Sequence, residues 1–410
     1  MHWRDISTGV SVLVEVWLPY GASEIPVGVP EERVQDILRP RTRNSKLDVT
    51  AEVTRLLKSS NLSDLARKAG QVCIGIGTSS NQHLLNELTK QLVQELTSNG
   101  VPDSSITLLY TYDASNNEMS GGLSGIRVAH NVQTSPTTAL DGLNAEFSVA
   151  LNSAFLGADL KLALGELRPH HFFGLAGLTN IVFPGLASAD SRRGHLLNRK
   201  GKAASDLYEE RINIANAIPN LLALSYAVDA DLSPAQIVFG TIPECVAALR
   251  GITEEISSTN IRKPADIVVM SSGGAPLDES LARAVETFPA AVAACKRDGA
   301  LIVAAECTSG HGGGEFYDWC AEHKEPRYLE TRLRHSYTYE GFKAAYLQRT
   351  LQNHRIYLVS TLADYYTERI FGMRSARTVN SALQTAQRAL GSDSAITVIP
   401  DASRVVPKLA

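Results

Sequence analysis

The sequence predicts an α/β protein of two domains with mainly parallel sheets. Three observations carry this reading. The apolar run 72–77, the helical spacing of Leu85, Leu88, Leu92 and Leu96, and the run 106–112 form a strand–helix–strand order that builds a parallel sheet. The same rhythm restarts near Lys263-Pro264. A length of 410 residues is enough for two separate cores. The boundary falls near residue 263, giving domains 1–262 and 263–410.

In chain order, Val10, Val12, Val14 and Val16 recur at every second position. Pro19-Tyr20-Gly21 then supplies turn chemistry before Ile25 to Pro30, which predicts an N-terminal hairpin whose prolines suit an edge. The helix after Gly77-Thr78-Ser79-Ser80-Asn81 closes at Asn99-Gly100, residues that tolerate a left-handed cap. Leu160 to Gly165 predicts a further strand, Ala204 to Ala217 a helix stopped by Pro219, and Leu221 to Val228 an extended run. In the second half, Asp266 to Met270 predicts a strand. Leu277, Leu281, Val285 and Phe288 then line a helix whose first turn carries Asp278 and Glu279, acidic groups suited to the positive end of the dipole. Leu301 to Ala305, Ile356 to Val359 and Ile396 to Ile399 predict the remaining strands, and Gly391 ends a helix over Val379, Leu383, Ala386 and Leu390.

A formal charge of -4 with no block of like charges argues against nucleic-acid or membrane surfaces as partners. Five dispersed cysteines without a CxxC pair fit reduced thiols in a cytoplasmic protein better than disulfides or structural zinc. No signal-peptide core opens the chain, and no window reaches the roughly 18 apolar residues of a membrane span.

Three of the ten histidines, His170, His171 and His195, lie in the central stretch 164–198, where a strand leads into a glycine-punctuated segment. Loops at strand ends hold reactive groups on a rigid frame. Adjacent strand residues face opposite ways, so only one of His170 and His171 can face a site. A hydrogen-bonded core histidine accounts for the same pattern. Gly310-His311-Gly312-Gly313-Gly314 follows another strand, and its backbone N–H groups could approach a phosphate or carboxylate. A flexible turn with a surface histidine explains that spacing equally well, since neither GxGxxG nor a Walker lysine is present.

Motifs spread along the whole chain carry a family resemblance. They are Leu18-Pro19-Tyr20-Gly21 with Val29-Pro30-Glu31-Glu32; Pro169-His170 through Pro184-Gly185; Gly273-Gly274-Ala275-Pro276-Leu277-Asp278; Gly310-His311-Gly312-Gly313 with Phe316-Tyr317; and Thr397-Val398-Ile399-Pro400-Asp401. In order and spacing they resemble the nickel-dependent lactate racemase family. The resemblance implies two α/β domains with the active site in an interdomain cleft, and a nickel-pincer nucleotide tethered to a lysine through a thioamide. It also implies hydride abstraction and return at C2 of a 2-hydroxy acid, with two histidines alternating as acid and base.

Carried over by position, the resemblance makes His170 one acid/base histidine and His195 the nickel ligand. Asn180 falls where the tethering lysine belongs, and an amide has no nucleophilic amine for that link. Arg192, Arg193, Arg199, Lys200 and Lys202 are candidates for phosphate contacts to an untethered cofactor. Substrate contacts are expected at Asn81, Gly273, Gly274, Arg283, His311 and Phe342. Asn81 and Glu286 replace cations, Arg283 returns one, and the partner histidine is missing from Asp113 to Asn116. These departures point to a racemase or C2 epimerase of a larger 2-hydroxy acid or sugar acid, with the nickel pincer bound noncovalently. Two other functions are kept: a cofactor-free lyase or isomerase using His170 as general base, and a noncatalytic protein holding an anionic metabolite on its glycine-rich loops.

Overall fold

The computed structural model describes residues 12–43, 47–111, 125–143, 146–197 and 204–410. Strands in chain order are β1 (Leu13–Tyr20), β2 (Ser23–Pro30), β3 (Val34–Ile37), β4 (Val72–Ile76), β5 (Ile106–Tyr110), β6 (Ile126–Ala129), β7 (Thr137–Ala139), β8 (Ala150–Asn152), β9 (Leu160–Glu166) and β10 (Arg168–His170). They continue with β11 (Gly174–Ala176), β12 (Leu221–Val228), β13 (Pro234–Gly240), β14 (Ser258–Ile261), β15 (Ala265–Ser271), β16 (Cys295–Ala304), β17 (Arg355–Val359), β18 (Arg374–Ala376), β19 (Ile396–Ile399) and β20 (Val406–Leu409). The chain divides into two compact units, Pro40–Ser257 and Ser258–Ala410, the second also taking in the segment that ends at Arg39.

The Pro40–Ser257 unit holds a six-stranded sheet ordered β13-β12-β9-β4-β5-β6, parallel except for β13. Its central strands β4, β9 and β12 are buried along their whole length, which explains their nearly continuous apolar sequences. One face packs Ile74, Ile76, Leu108 and Leu162 against Leu85, Leu88, Leu92 and Leu96 of the helix Gln82–Ser98. The other packs Cys73, Leu109, Ala163 and Ala223 against Phe155, Ile181, Phe183 and Leu249. The chain runs outward from β4 through β5 and β6, and in the opposite direction through β9 and β12. The carboxyl ends of β4 and β9 therefore form the switch point at which such sheets present their functional loops.

The other unit also has six strands, all parallel, ordered β18-β17-β16-β15-β19-β3. Here the expected domain 1–262 is corrected, because its first strands belong to this unit. β3 pairs with β19, and the inner face of the β1–β2 hairpin packs Val16, Leu18, Val27 and Val29 on Ile267, Val269, Ile302 and Val398. Burial of four aliphatic side chains, at roughly 1.5–3 kcal/mol each, outweighs any preference for the neighbouring sequence.

A second correction concerns the helix expected to begin near Leu277. Ser280 caps it by accepting the Arg283 N–H, so it starts at Leu281 and proceeds in short pieces to Ala294. All five cysteines are buried free thiols, and burial raises each to about 12. Among the described residues, no helix is long and apolar enough to cross a membrane.

Candidate functional site

Each unit gathers its own set of candidate residues. In Pro40–Ser257, Glu166 ends β9 and the chain turns at once into β10, which pairs with β11 in a short hairpin with His170 opposite Gly174. This hairpin puts His170 at the sheet's switch point. Gly177 makes the turn possible: its φ is 102°, and a Cβ there would lie 1.6 Å from the Glu166 carbonyl oxygen.

His170 Nδ1 accepts the Phe172 N–H at 3.2 Å, and its ring lies 4.8 Å from that of Phe173. A nitrogen that accepts carries no proton, so the neutral imidazole holds its hydrogen on Nε2. Nε2 is therefore the donor nitrogen of His170 in this tautomer.

Asn180 ends the turn Leu178–Asn180, and its side-chain oxygen accepts from Arg211 Nη1. Arg211 is 2% exposed, with its guanidinium 5.4 Å from the centre of the Phe173 ring. The preceding residue on the same helix, Glu210, places Oε2 2.9 Å from His195 Nδ1, close but not aligned as a hydrogen bond. The buried His195 ring meets Phe183 edge-on at 5.1 Å and Phe147 at 5.6 Å. Two consecutive residues of the helix Ala204–Asn216 therefore hold both Asn180 and His195. Neither Glu210 nor Arg211 belongs to a motif that sequence reading could have singled out.

These residues do not fit the tethered cofactor implied by the resemblance. Asn180 supplies no amine, and its carbonyl oxygen is committed to Arg211. A carboxylate on one ring nitrogen, as at His195, is what orients a ligating imidazole, and it equally secures a core histidine. Among the described residues, no group of three His, Cys, Asp or Glu side chains forms a metal site. Arg192 is half-buried and Arg193 exposed on the helix Ala189–Leu197. Lys200, Arg199, Lys202 and the Asp113 to Asn116 segment lie outside the described residues.

Asn81, expected to contact substrate, is engaged by groups of the protein itself. Its Oδ1 accepts the Leu84 N–H and its Nδ2 donates to the Leu232 carbonyl, both at 2.9 Å, so it caps a helix and ties two loops together. Around it, buried Glu166 accepts Ser80 N–H at 2.7 Å and Ser80 Oγ–H at 3.1 Å, and Tyr226 donates to Ser79 Oγ at 2.6 Å. Burial, then Glu166, raises the Tyr226 hydroxyl well above its ordinary range, with Ser79 opposing. Sequence reading gave Glu166 no role; it is the anchor of the loop after β4.

In the other unit the switch point lies between β15 and β19, where Gly273 and Gly274 turn with φ of 105° and 72°. A Cβ on Gly273 would lie 2.7 Å from Asp401 Oδ1, and one on Gly274 2.9 Å from the Gly21 carbonyl oxygen. The Gly273 N–H is spent on Ser271 Oγ at 3.0 Å. These glycines thus seat the hairpin tip and the loop after β19. Asp278, fully buried, accepts the N–H groups of Gly21 at 2.7 Å and Glu306 at 3.0 Å, fastening the same tip. Burial, with Glu306, Cys307 and Asp278 adding to it, raises the nearby Tyr20 hydroxyl to about 12.

The Gly310 to Gly314 loop, weighed as an anion cradle, is partly engaged by the protein's own groups. Cys307 and Ser309 N–H groups go to the carbonyls of Asp278 and Glu279, and those of Gly310 and Gly313 to Cys307 O and His311 Nδ1. In return, Leu281 and Ala282 N–H groups donate to the carbonyls of Gly310 and His311. His311 packs among Tyr317, Tyr366 and Phe371. Arg283, expected to return a cation for substrate, pairs with Glu279 at 3.2 Å.

Beside it, Glu286 lies 3.3 Å from Lys343 Nζ, and Glu340 reaches the same ammonium at 2.7 Å. Burial opposes the Lys343 charge, but the two carboxylates outweigh it and hold the pKa above its ordinary value. Half-buried Phe342 stacks with Tyr339 at 6.4 Å and Tyr337 at 6.1 Å.

Two doubly wound units, each presenting polar groups at a sheet switch point, define a class of α/β proteins that handle small molecules. Residues 20–204 match the lactate racemase N-terminal domain and residues 261–406 the lactate racemase C-terminal domain; the chain belongs to the lactate racemase family. It is 29% identical to the lactate racemase of Thermoanaerobacterium thermosaccharolyticum, over 96% of this chain and 99% of that protein. It is 25% identical to that of Lactiplantibacillus plantarum, over 97% and 100%. The structure of the lactate racemase apoprotein from Thermoanaerobacterium thermosaccharolyticum superposes with a TM-score of 0.80 at 27% identity, covering 96% of this chain and 100% of that one.

Proposed function

We propose that the chain is an isomerase, a racemase or C2 epimerase, acting on a small 2-hydroxy acid or sugar acid. The family supports the reaction class, and the observation that carries the reading is His170 at the switch point with its proton on Nε2. From there it donates to a substrate oxygen. Taking a proton at Nε2 requires Nδ1 to be protonated instead, which breaks the Phe172 N–H contact. The turn between β10 and β11 therefore takes part in each proton transfer.

A pincer nucleotide tethered through a thioamide is incompatible with Asn180, which has no nucleophilic amine. Noncovalent contacts through His195, Arg192, Arg193 and Lys200 are the form left to such a cofactor. The Asn180–Arg211 pairing favours a second reading, in which a cofactor-free lyase or isomerase uses His170 for proton abstraction at C2.

The test uses protein coexpressed with the cofactor-making proteins and assayed with [2-²H]lactate and [2-²H]gluconate. Isomerisation with retained deuterium supports the first reading, whereas washout into solvent supports the second. His170→Ala should lower turnover by about 10²–10⁴-fold in either case. Absence of both isomerisation and exchange in nickel-replete protein would overturn both.

A further inference from the structure

The strand that carries His170 also carries a cation with no carboxylate to answer it. Arg168 and His170 stand two positions apart on β10, so their side chains leave the same face from Cα atoms about 7 Å apart. A 2-hydroxy acid bears its carboxylate and its hydroxyl on adjacent carbons, a spacing that two such neighbours span.

Among the described residues, half-buried Arg168 makes a single hydrogen bond, from Nη2 to Thr78 Oγ1 at 3.3 Å. Its Nε is buried without an acceptor. No carboxylate of the described residues stands within ion-pair distance of the guanidinium. The nearest in sequence, Glu166, is turned to the loop after β4, where it accepts Ser80 N–H at 2.7 Å and Ser80 Oγ–H at 3.1 Å. Other arginines of the same unit find acids of their own, Arg55 pairing with Glu52 at 2.7 Å and Arg67 with Asp64 at 3.2 Å.

A guanidinium keeps its charge at any working pH and carries five N–H donors, so one contact to a neutral hydroxyl leaves most of that capacity unmet. A carboxylate meets two donors at once and brings the opposite charge. A single guanidinium balances that single charge, whereas the second charge of a phosphate would go unmatched.

Building on the isomerase reading, we infer that Arg168 binds the substrate carboxylate and thereby sets the 2-hydroxyl beside His170.

Calorimetric titration of the full chain with L-lactate and with L-lactamide, its uncharged isostere, tests this without turnover. Lactate should bind about tenfold tighter than lactamide or better, the scale of a hydrogen-bonded charge pair. Arg168→Gln should erase that difference by weakening lactate alone. Arg168→Lys, which keeps the charge but not the fork, should recover part of it. Melting temperatures without ligand establish that both variants fold. Equal affinity of the unaltered chain for lactate and lactamide, unchanged lactate binding by Arg168→Gln, or a matching loss of lactamide would overturn the inference. So would inorganic phosphate binding tighter than lactate, or no detectable binding of either lactate or gluconate. In turnover, Arg168→Gln should raise KM for the 2-hydroxy acid. Isomerisation with an unaltered KM would sink the inference alone, and carboxylate selectivity without isomerisation the proposed reaction alone.

Discussion

Each unit has a six-stranded, mainly parallel sheet and a glycine-punctuated segment, yet glycine does different work at Gly177 and Gly185 than in the loop Gly310 to Gly314. At Gly177 of the Pro40–Ser257 unit the space for a side chain is filled by the Glu166 backbone, and at Gly185 by the Asn180 carbonyl oxygen, 2.5 Å from a would-be Cβ. In the loop Gly310 to Gly314 of the other unit, three glycines have open space around them, and only Gly312 is pressed on a neighbour, 2.5 Å from Ala282 Cβ. The first set permits close packing of backbone on backbone. The second mostly supplies positive φ, with values from 45° to 96°. Glycine thus makes a rigid seat in one segment and meets a shape requirement in the other.

Substitutions can break this comparison. Gly177→Ala should be the most damaging, on the order of 4 kcal/mol in denaturant unfolding or outright failure to fold, because backbone cannot yield as a side chain can. Gly310→Ala, with φ of 78° but nothing within 4 Å of its Cβ, should cost only about 1–2 kcal/mol. Similar losses at the two positions would remove the distinction.

The smallest effect concerns protons. Burial lowers the pKa of His130 in one unit and His354 in the other, against carbonyl contacts to Ala187 and Thr350 that raise it. As pH falls through about 6.5, the unfolded chain takes protons that these folded imidazoles resist. Stability is therefore complete above that pH and declines below it. His130→Gln and His354→Gln should each flatten the fall in apparent stability between pH 7 and pH 5. An unchanged slope would show that burial does not suppress protonation at that site.

Much of the frame was legible in the sequence. The strands 72–77, 160–165, 221–228, 266–270 and 396–399 announce themselves as apolar runs because their central positions are buried on both faces. The helix expected from Leu277 was misplaced because the Asp278 carboxylate is taken by the N–H groups of Gly21 and Glu306, and Ser280 supplies the cap. His170 drew attention because it lies in the Pro169-His170 to Pro184-Gly185 motif that carries the family resemblance. Glu166, Glu210, Arg211 and Lys343 were missed because each acts through a partner far along the chain, as Arg211 does on Asn180 31 positions away.

The sequence by itself determined where the strands and helices run, that two α/β cores form, and which side-chain chemistries are on offer. Only the tertiary structure decided that the first hairpin joins the second unit, with Gly21 bonded to Asp278 across 257 positions. It also decided that Asn81 and Asn180 are held by internal partners, and that Lys343 faces its own carboxylates. The physical reason is that apolar periodicity is local and repeats within a few residues. A buried polar group must instead find its hydrogen-bond or charge partner wherever the completed fold brings one.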